Sequence, residues 1–492
     1  MRRNHRNNLM RLCAIGFGLA ALLSFELILV FAGWGDPQTT VDPFVGFRNT
    51  RRLFVLDSSD QHYKIPEGRQ LCFRPDQFAA AKESHEFRIF CLGGSTVQGR
   101  PYAIETSFTS WLELSLEAAD PTRHWQVVNC GGISYASYRL VPILEEVLRY
   151  QPDLIILYTG HNEFLEDRFY QSFKSRPPWL NLTLQTASQL RTFNLMRSAY
   201  LGSHQSDPLP ENVLPEEVQA RLDFRGGLEK YKRDPEWHHG VIAHFQFNLE
   251  RMIKMAHQAD VPIWIADPVT NLRTCPPFKS AHRDQLSQPD QQAWNHFRQK
   301  AGDSYRADMT VSLGSLQQAL TIDDQHAGLW YDVAKCYEAI GQYEQADQAY
   351  RRARDCDICP LRMISPLYDA LESVTAKKNI KLIPVRALFE QRCQHGIPGG
   401  FLLVDHVHPS ITGHRMIAEL MTNELIQEQI VTPVGGWQEQ RDASYQAHTS
   451  SLGDKYYIEG QRRLKGLQSW ATGRATQIPP AEAAAKAAQR EG

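Results

Sequence analysis

Phe87-Arg88-Ile89-Phe90-Cys91-Leu92-Gly93-Gly94-Ser95-Thr96 decides how the rest of the chain is read. An apolar, partly β-branched run closed by two glycines and two hydroxyls has the composition of a strand buried on both faces that ends in a tight turn. The same signature recurs outward along the chain at Trp125 to Asn129, Leu154 to Tyr158 and Val261 to Ala266, and a fifth run, Ile380 to Val385, comes much later. Each of the first four ends at a short loop rich in Gly, Asn, Ser or Pro. Helical periodicities lie between them, for example Phe108 to Glu117 and Leu140 to Tyr150. Strand alternating with helix predicts an α/β fold with a parallel sheet covered by helices, and a working site at the carboxyl ends of the strands.

Length and charge narrow the function classes. At 492 residues the chain is several times a small module, so a large core with added elements is allowed. Hydrophobic residues at 42% and charged residues at 22% exclude wholesale disorder and a polytopic membrane protein. Lys+Arg 53 against Asp+Glu 55 leaves no cationic excess for a phosphate backbone, so no nucleic-acid partner is expected.

The amino terminus carries a different signal. Arg2, Arg3, Arg6 and Arg11 precede an apolar run from Leu12 to Trp34 whose only charge is Glu26, long enough to cross a hydrocarbon layer of ~30 Å. The arginines keep that end in the cytoplasm, which predicts a single-pass inner-membrane anchor over residues 1–34 and an exported remainder, periplasmic or extracellular. A cleaved signal peptide ending near Val30-Phe31-Ala32 is the alternative. Glu26 inside the span is costly unless it pairs or reaches the interface.

Two insertions interrupt the α/β pattern, which is assigned to residues 35–300 and 361–435. The first, about 166–235, is polar, punctuated by Pro and read as helical, with a lid as one role. The second, residues 301–360, holds Trp330, Ala334, Tyr337, Gly341, Tyr343, Ala346, Tyr350 and Ala353 at the spacing of a tetratricopeptide (TPR) repeat, with Ala319 to Asp323 as the end of a degraded preceding unit. One such repeat must pack on the main domain or on a protein partner; a plain helical hairpin is the alternative. Residues 436–492 read as amphipathic helices from Trp437 and a disordered, Ala-rich tail from about Pro479.

Three strand ends carry groups with chemistry. The Gly93-Gly94 turn lifts Ser95 to a helix start, where backbone N–H groups favour negative charge; a plain turn or a phosphate cradle would use the same residues. Tyr158-Thr159-Gly160-His161-Asn162-Glu163 presents a side-chain amide able to donate to a developing oxyanion, or is a polar turn. Asp405-His406-Val407-His408-Pro409 spaces a carboxylate three residues before an imidazole, which fixes the tautomer and frees the other ring nitrogen as a base; a metal site is the competing reading. The loop Asp267 to Arg273 ends the fourth strand, so Asn271 and Arg273 are candidates for a substrate rim. His238 and His239 are read as solvated, Cys91 and Cys130 as packing thiols, and Cys356-Asp357-Ile358-Cys359 as a weak redox motif lacking a strand-to-helix context.

A serine after the first strand, an amide after the third and a late D-x-x-H resemble the SGNH (GDSL-like) hydrolase family over about residues 85 to 165, 255 to 275 and 375 to 425. The resemblance implies a three-layer flavodoxin-like fold and a Ser95, His408, Asp405 ester hydrolase or acyltransferase that needs no metal or other cofactor. It also implies an oxyanion hole of the Ser95 and Ser134 backbone N–H groups with Asn162. Three positions depart from the family pattern: Gly94 replaces the aspartate before the nucleophile, Glu163 stands where an aspartate is usual, and the glycine five residues after an asparagine becomes Ser134, counting from Asn129. Together with the export signal, these readings point to an acylated small molecule or glycan of the cell envelope as substrate. An idle hydrolase-like shell that binds a protein partner through its repeat is the alternative from a different class.

Overall fold

The structure, a computed structural model, describes residues 52–59, 61–166, 218, 220–223, 226–305 and 307–471, together with residues 10, 16–18, 20, 23–32, 34, 187, 190–193, 195 and 196. The chain divides into two compact units, Met1–Arg51 with Arg168–Pro215, and Arg52–Asp167 with Glu216–Gly492. Most of the first insertion and the tail from 472 lie outside the described residues.

In the larger unit three short strands come first. β1 (Val55–Leu56), β2 (His62–Lys64) and β3 (Gln77–Ala79) form an antiparallel sheet that the sequence reading misses. Its strands are too short for a periodic signal. Aromatic edges hold it to the main core, with Phe78 5.0 Å from Phe54 and 5.3 Å from Phe90 between ring centroids.

The main sheet is parallel, as the alternation predicts. β4 (Glu86–Gly93), β5 (His124–Gly131), β6 (Leu154–Tyr158), β7 (Ile263–Ala266) and β8 (Leu382–Ile383) lie in the order β5-β4-β6-β7-β8. Ile89, Phe90, Cys91 and Leu92 of the interior strand β4 are all fully buried, which is why that run shows no alternation of polar and apolar residues.

Helices cover both faces. Ile89, Cys91, Val127, Ile156 and Trp264 share one core with residues of α1 (Phe108–Ala119), and that core continues into helices near the carboxyl end of the chain. α2 (Ser137–Val147) and α3 (Pro235–Gln258) pack together on the opposite face. Caps start the helices where short polar side chains stand, as Ser107 at α1 and Asp234 at α3.

The second insertion is wider than the sequence boundary of 301. α4 (Gln288–Ser304), α5 (Met309–Ile322), α6 (Ala327–Ala339) and α7 (Tyr343–Asp355) form antiparallel pairs around their own cluster, including Trp294, Leu316, Ala334, Ala346 and Tyr350. Gly341, at φ +78°, turns α6 into α7. Leu272 and Ile397 belong to the same cluster, so the helices rest on loops of the α/β part. The chain then returns through α8 (Ser365–Lys378), α9 (Val385–Arg392) and α10 (Ile411–Gln427). α11 (Trp437–Ser451) packs on α1, where Tyr445 Oη lies 2.8 Å from Ser115 Oγ, and α12 (Asp454–Ala471) ends the described chain.

In the smaller unit, residues 23–32 are helical. The Glu26 carboxylate there accepts hydrogen bonds from the backbone N–H groups of Arg191 and Thr192, the latter at 2.9 Å. Among the described residues no helix is long and apolar enough to cross a membrane. The apolar run read as an anchor, Leu12 to Trp34, falls partly outside them.

Candidate active site

Register brings the chemistry together. Gly93 at the end of β4 pairs with Gly131 of β5 and with Tyr158 of β6, so three strands end level and the segments carrying Ser95, Ser134 and Asn162 leave from one edge. A Cβ on Gly131 would lie 2.2 Å from the Gln98 backbone nitrogen. Only glycine lets β5 run this close to the nucleophile turn. That turn is one helical turn, Ser95–Gln98, closed by Gly99 at φ +89°. Asn129 staples it, with Nδ2 donating to the Val97 carbonyl at 2.7 Å and Oδ1 accepting from the Gly131 N–H at 3.0 Å.

The late D-x-x-H segment folds back on itself. Leu403 bridges Pro409, the Val404 N–H donates to the His408 carbonyl at 2.9 Å, and Ser410 caps α10. The resulting loop projects Asp405 and His408 inward. Asp405 Oδ2 lies 2.7 Å from His408 Nδ1, and His408 Nε2 lies 2.7 Å from Ser95 Oγ. Asp405 Oδ1 accepts from the Val407 and His408 backbone N–H groups at 2.9 and 2.8 Å. Burial alone would raise the Asp405 carboxyl, but the His408 and His406 rings beside it and the His408 hydrogen bonds hold it well below the carboxylate range. An ionised Asp405 accepts a hydrogen bond from Nδ1–H, leaving Nε2 with its lone pair toward the Ser95 hydroxyl. His406 is buried too, and burial pushes it down to about 4.

Asn162 sits against the nucleophile turn. Its Nδ2 donates to the Tyr135 carbonyl at 3.0 Å, and a Cβ on Gly94 would fall 2.6 Å from that nitrogen. A side chain at position 94 would therefore require the Asn162 amide to shift. An amide carries two N–H donors, and Tyr135 accounts for one. Ser134 adopts the left-handed conformation at φ 61° within the turn after β5, a conformation that costs a non-glycine residue ~1–3 kcal/mol and concentrates at functional sites. Glu163 is buried and accepts from the Ser137 N–H and hydroxyl at 2.8 and 2.9 Å, tying the amide loop to α2.

His161, which the sequence reading leaves without a role, is buried, and burial lowers its pKa well below the ordinary range. Its Nδ1 accepts the Met363 N–H at 3.3 Å, so the proton sits on Nε2, which has no hydrogen-bond partner among the described residues.

The two rim candidates turn out to be braces. Asn271 is buried; its Nδ2 donates to the Asp405 carbonyl at 2.8 Å and its Oδ1 accepts from the Thr274 N–H and hydroxyl, both at 3.0 Å. Arg273 reaches away to Glu338 of α6 at 2.6 Å and Gln394 at 2.8 Å. The Asn271 side chain serves the Asp405 loop, and the half-buried Arg273 ties the β7 loop to α6 and to Gln394. Arg362 completes the bracing, donating to the Asn271 and Cys275 carbonyls at 2.6 and 2.8 Å. A lone arginine in a loop leaves no periodic trace from which sequence alone would find it.

His238 also departs from its sequence reading: it packs 4.6 Å from the Phe164 ring, and burial lowers it to about 4. The described cysteines are all free, and burial pushes the Cys356 thiol up to about 11, away from the thiolate that redox chemistry needs.

No protein-family model matches the chain, and no curated protein matches it. Solved structures similar to it include a putative lipolytic protein of the G-D-S-L family from Desulfitobacterium hafniense, 11% identical with a TM-score of 0.29 over 68% of this chain and 98% of that one. The acetyl xylan esterase AlAXEase is 11% identical, with a TM-score of 0.32 over 69% of this chain and 100% of its own. A lipase/acylhydrolase from Enterococcus faecalis is 12% identical, with a TM-score of 0.32 over 71% of this chain and 100% of its own. Identities and scores this low say nothing of the reaction, which has to come from the side chains.

Proposed function

We propose that the protein is a membrane-anchored serine ester hydrolase or O-acyltransferase of the SGNH type, acting on an acylated cell-envelope substrate through an acyl-serine intermediate. One observation carries the catalytic part: the unbroken relay from Ser95 Oγ through His408 to Asp405, 2.7 Å at each link. His408 Nε2 takes the hydroxyl proton as Ser95 Oγ bonds to the ester carbonyl carbon, and the carbonyl electron pair moves onto oxygen. The Ser95 and Ser134 N–H groups and the second Asn162 N–H hold that oxyanion. On collapse the alkoxide leaves with the proton from His408. Water then repeats the sequence to give the free acid, or a sugar hydroxyl does so to give a transferred ester.

The anchor is supported by the four arginines ahead of the Leu12 to Trp34 run, and an exported site facing the envelope follows from it. Clustering of Ala334 and Ala346 with Tyr350, Trp330 and Tyr337 supports the TPR-like reading of the insertion, a repeat type that would suit a protein partner.

A fluorophosphonate probe on the full chain tests the activated serine. Mass spectrometry should find the label on Ser95 and no label in Ser95→Ala. An unlabelled Ser95 would favour the idle shell.

A further inference from the structure

The segment that carries the nucleophile also carries a charge that the relay leaves unused. The Arg100 N–H donates to the Ser95 carbonyl at 3.1 Å, so the Arg100 side chain departs about one turn beyond the nucleophile. Arg74 comes from the segment before β3, which is tied to the same turn where Gln98 Nε2 donates to the Cys72 carbonyl at 2.8 Å. A third arginine, Arg463 of α12, donates to the Tyr102 carbonyl at 2.9 Å and pairs with Glu459 at 3.1 Å. Arg463 is thus accounted for.

Arg74 and Arg100 are not. Among the described residues neither has a carboxylate within ion-pair distance, and each buries its Nε without a hydrogen-bond partner. Burial lowers both guanidinium groups, and like charge adds to it, from Arg74 and Arg463 at Arg100 and from Arg463 at Arg74. The carboxylates acting on the cluster are Glu105, Glu459 and Asp405. Glu459 is bonded to Arg463 and Asp405 to His408, which leaves Glu105, acting on Arg74, as the one remaining carboxylate of the three and none for Arg100. Partly desolvated like charges are costly by themselves, and an anion with two or more oxygens offsets that cost through forked hydrogen bonds.

We propose that Arg74 and Arg100 form an anion-binding subsite beside Ser95, and that the ester cleaved there sits on an anionic carrier bearing a carboxylate or phosphate. The substrate side of this inference rests on the ester-hydrolase reading; the binding side does not. The carrier is an acylated acidic sugar or sugar phosphate in chemical class.

Three matched esters separate the possibilities with the full-length protein: 4-acetoxybenzoate, 4-acetoxyphenyl phosphate and the neutral methyl 4-acetoxybenzoate. The ratio of kcat/KM for each anionic ester to that for the neutral one should fall about tenfold or more, ~1.4 kcal/mol, in the Arg74→Gln, Arg100→Gln double variant. The exposed Arg149→Gln variant should leave the ratio unchanged. A larger fall for the phosphate or for the carboxylate identifies the group preferred. Equal ratios in wild type and double variant, with hydrolysis still dependent on Ser95, would overturn the subsite and spare the hydrolase reading. Calorimetry on Ser95→Ala with inorganic phosphate and with glucuronate needs no turnover. Binding lost on adding the two arginine substitutions supports the subsite, and binding of neither anion, or binding indifferent to the substitutions, overturns it.

Discussion

Asn271 Nδ2 donates to the Asp405 carbonyl oxygen at 2.8 Å across 134 positions of sequence. The loop after β7 thereby holds the loop that aims His408 at Ser95, and Arg362 holds the β7 loop in turn. Orientation of the base depends on a residue that touches neither the base nor the nucleophile.

Asn271→Ala should therefore act on kcat more than on KM. It frees the Asp405 carbonyl and the Thr274 donors, and leaving buried polar groups unpaired costs ~1–3 kcal/mol. Steady-state kinetics on an acetyl ester should show kcat down by about tenfold or more with KM little changed, and the thermal midpoint should fall. A change confined to KM would return Asn271 to the substrate rim.

Asn162→Ala tests the oxyanion donor. Loss of one such donor typically costs about 10²- to 10³-fold in turnover, while the lost bond to Tyr135 costs ~1 kcal/mol of stability. Kinetics and a melt on the same preparation separate the two effects. Turnover within a fewfold of wild type would remove Asn162 from the mechanism.

Gly131→Ala should injure activity out of proportion to composition. The added Cβ, 2.2 Å from the Gln98 nitrogen, meets backbone, so the nucleophile turn has to move. Overpacking of this kind costs ~1–3 kcal/mol, and displacement of Ser95 should lower fluorophosphonate labelling in protein that still folds by circular dichroism.

Much of this was legible beforehand, for stated reasons. The four buried strands announce themselves by continuous apolar runs, and the Asp405–His408 spacing is local. The antiparallel β1–β3 sheet was not legible, because strands of two or three residues carry no period. The sequence places Asn271 and Arg273 in the loop after the fourth strand, but their direction depends on Asp405, Glu338 and Gln394, all distant in sequence. Helix α4, which packs with the helices of the second insertion, leaves little periodic signal because it is largely polar outside Trp294 and Ala301, its buried residues.

Asp76 supplies a test through pH. Burial pushes its carboxyl up to about 7, against an unfolded value of ~3.9. Below about pH 4 the group is protonated in both states; between there and about 7 the folded protein holds a proton that the unfolded chain releases, so this contribution to stability is lost as pH rises through that window. Urea unfolding of wild type and Asp76→Asn at pH 4.5 and 7.5 should show the variant gaining on wild type at the higher pH. Parallel behaviour would mean that Asp76 is not held protonated.

The central claim is that Ser95 and His408 act as one unit. Measured kcat for an activated acetyl ester should fall by several orders of magnitude in Ser95→Ala, fall similarly in His408→Ala, and fall no further in the double variant. Hydrolysis that survives Ser95→Ala undiminished, or losses that multiply in the double variant, would contradict the account.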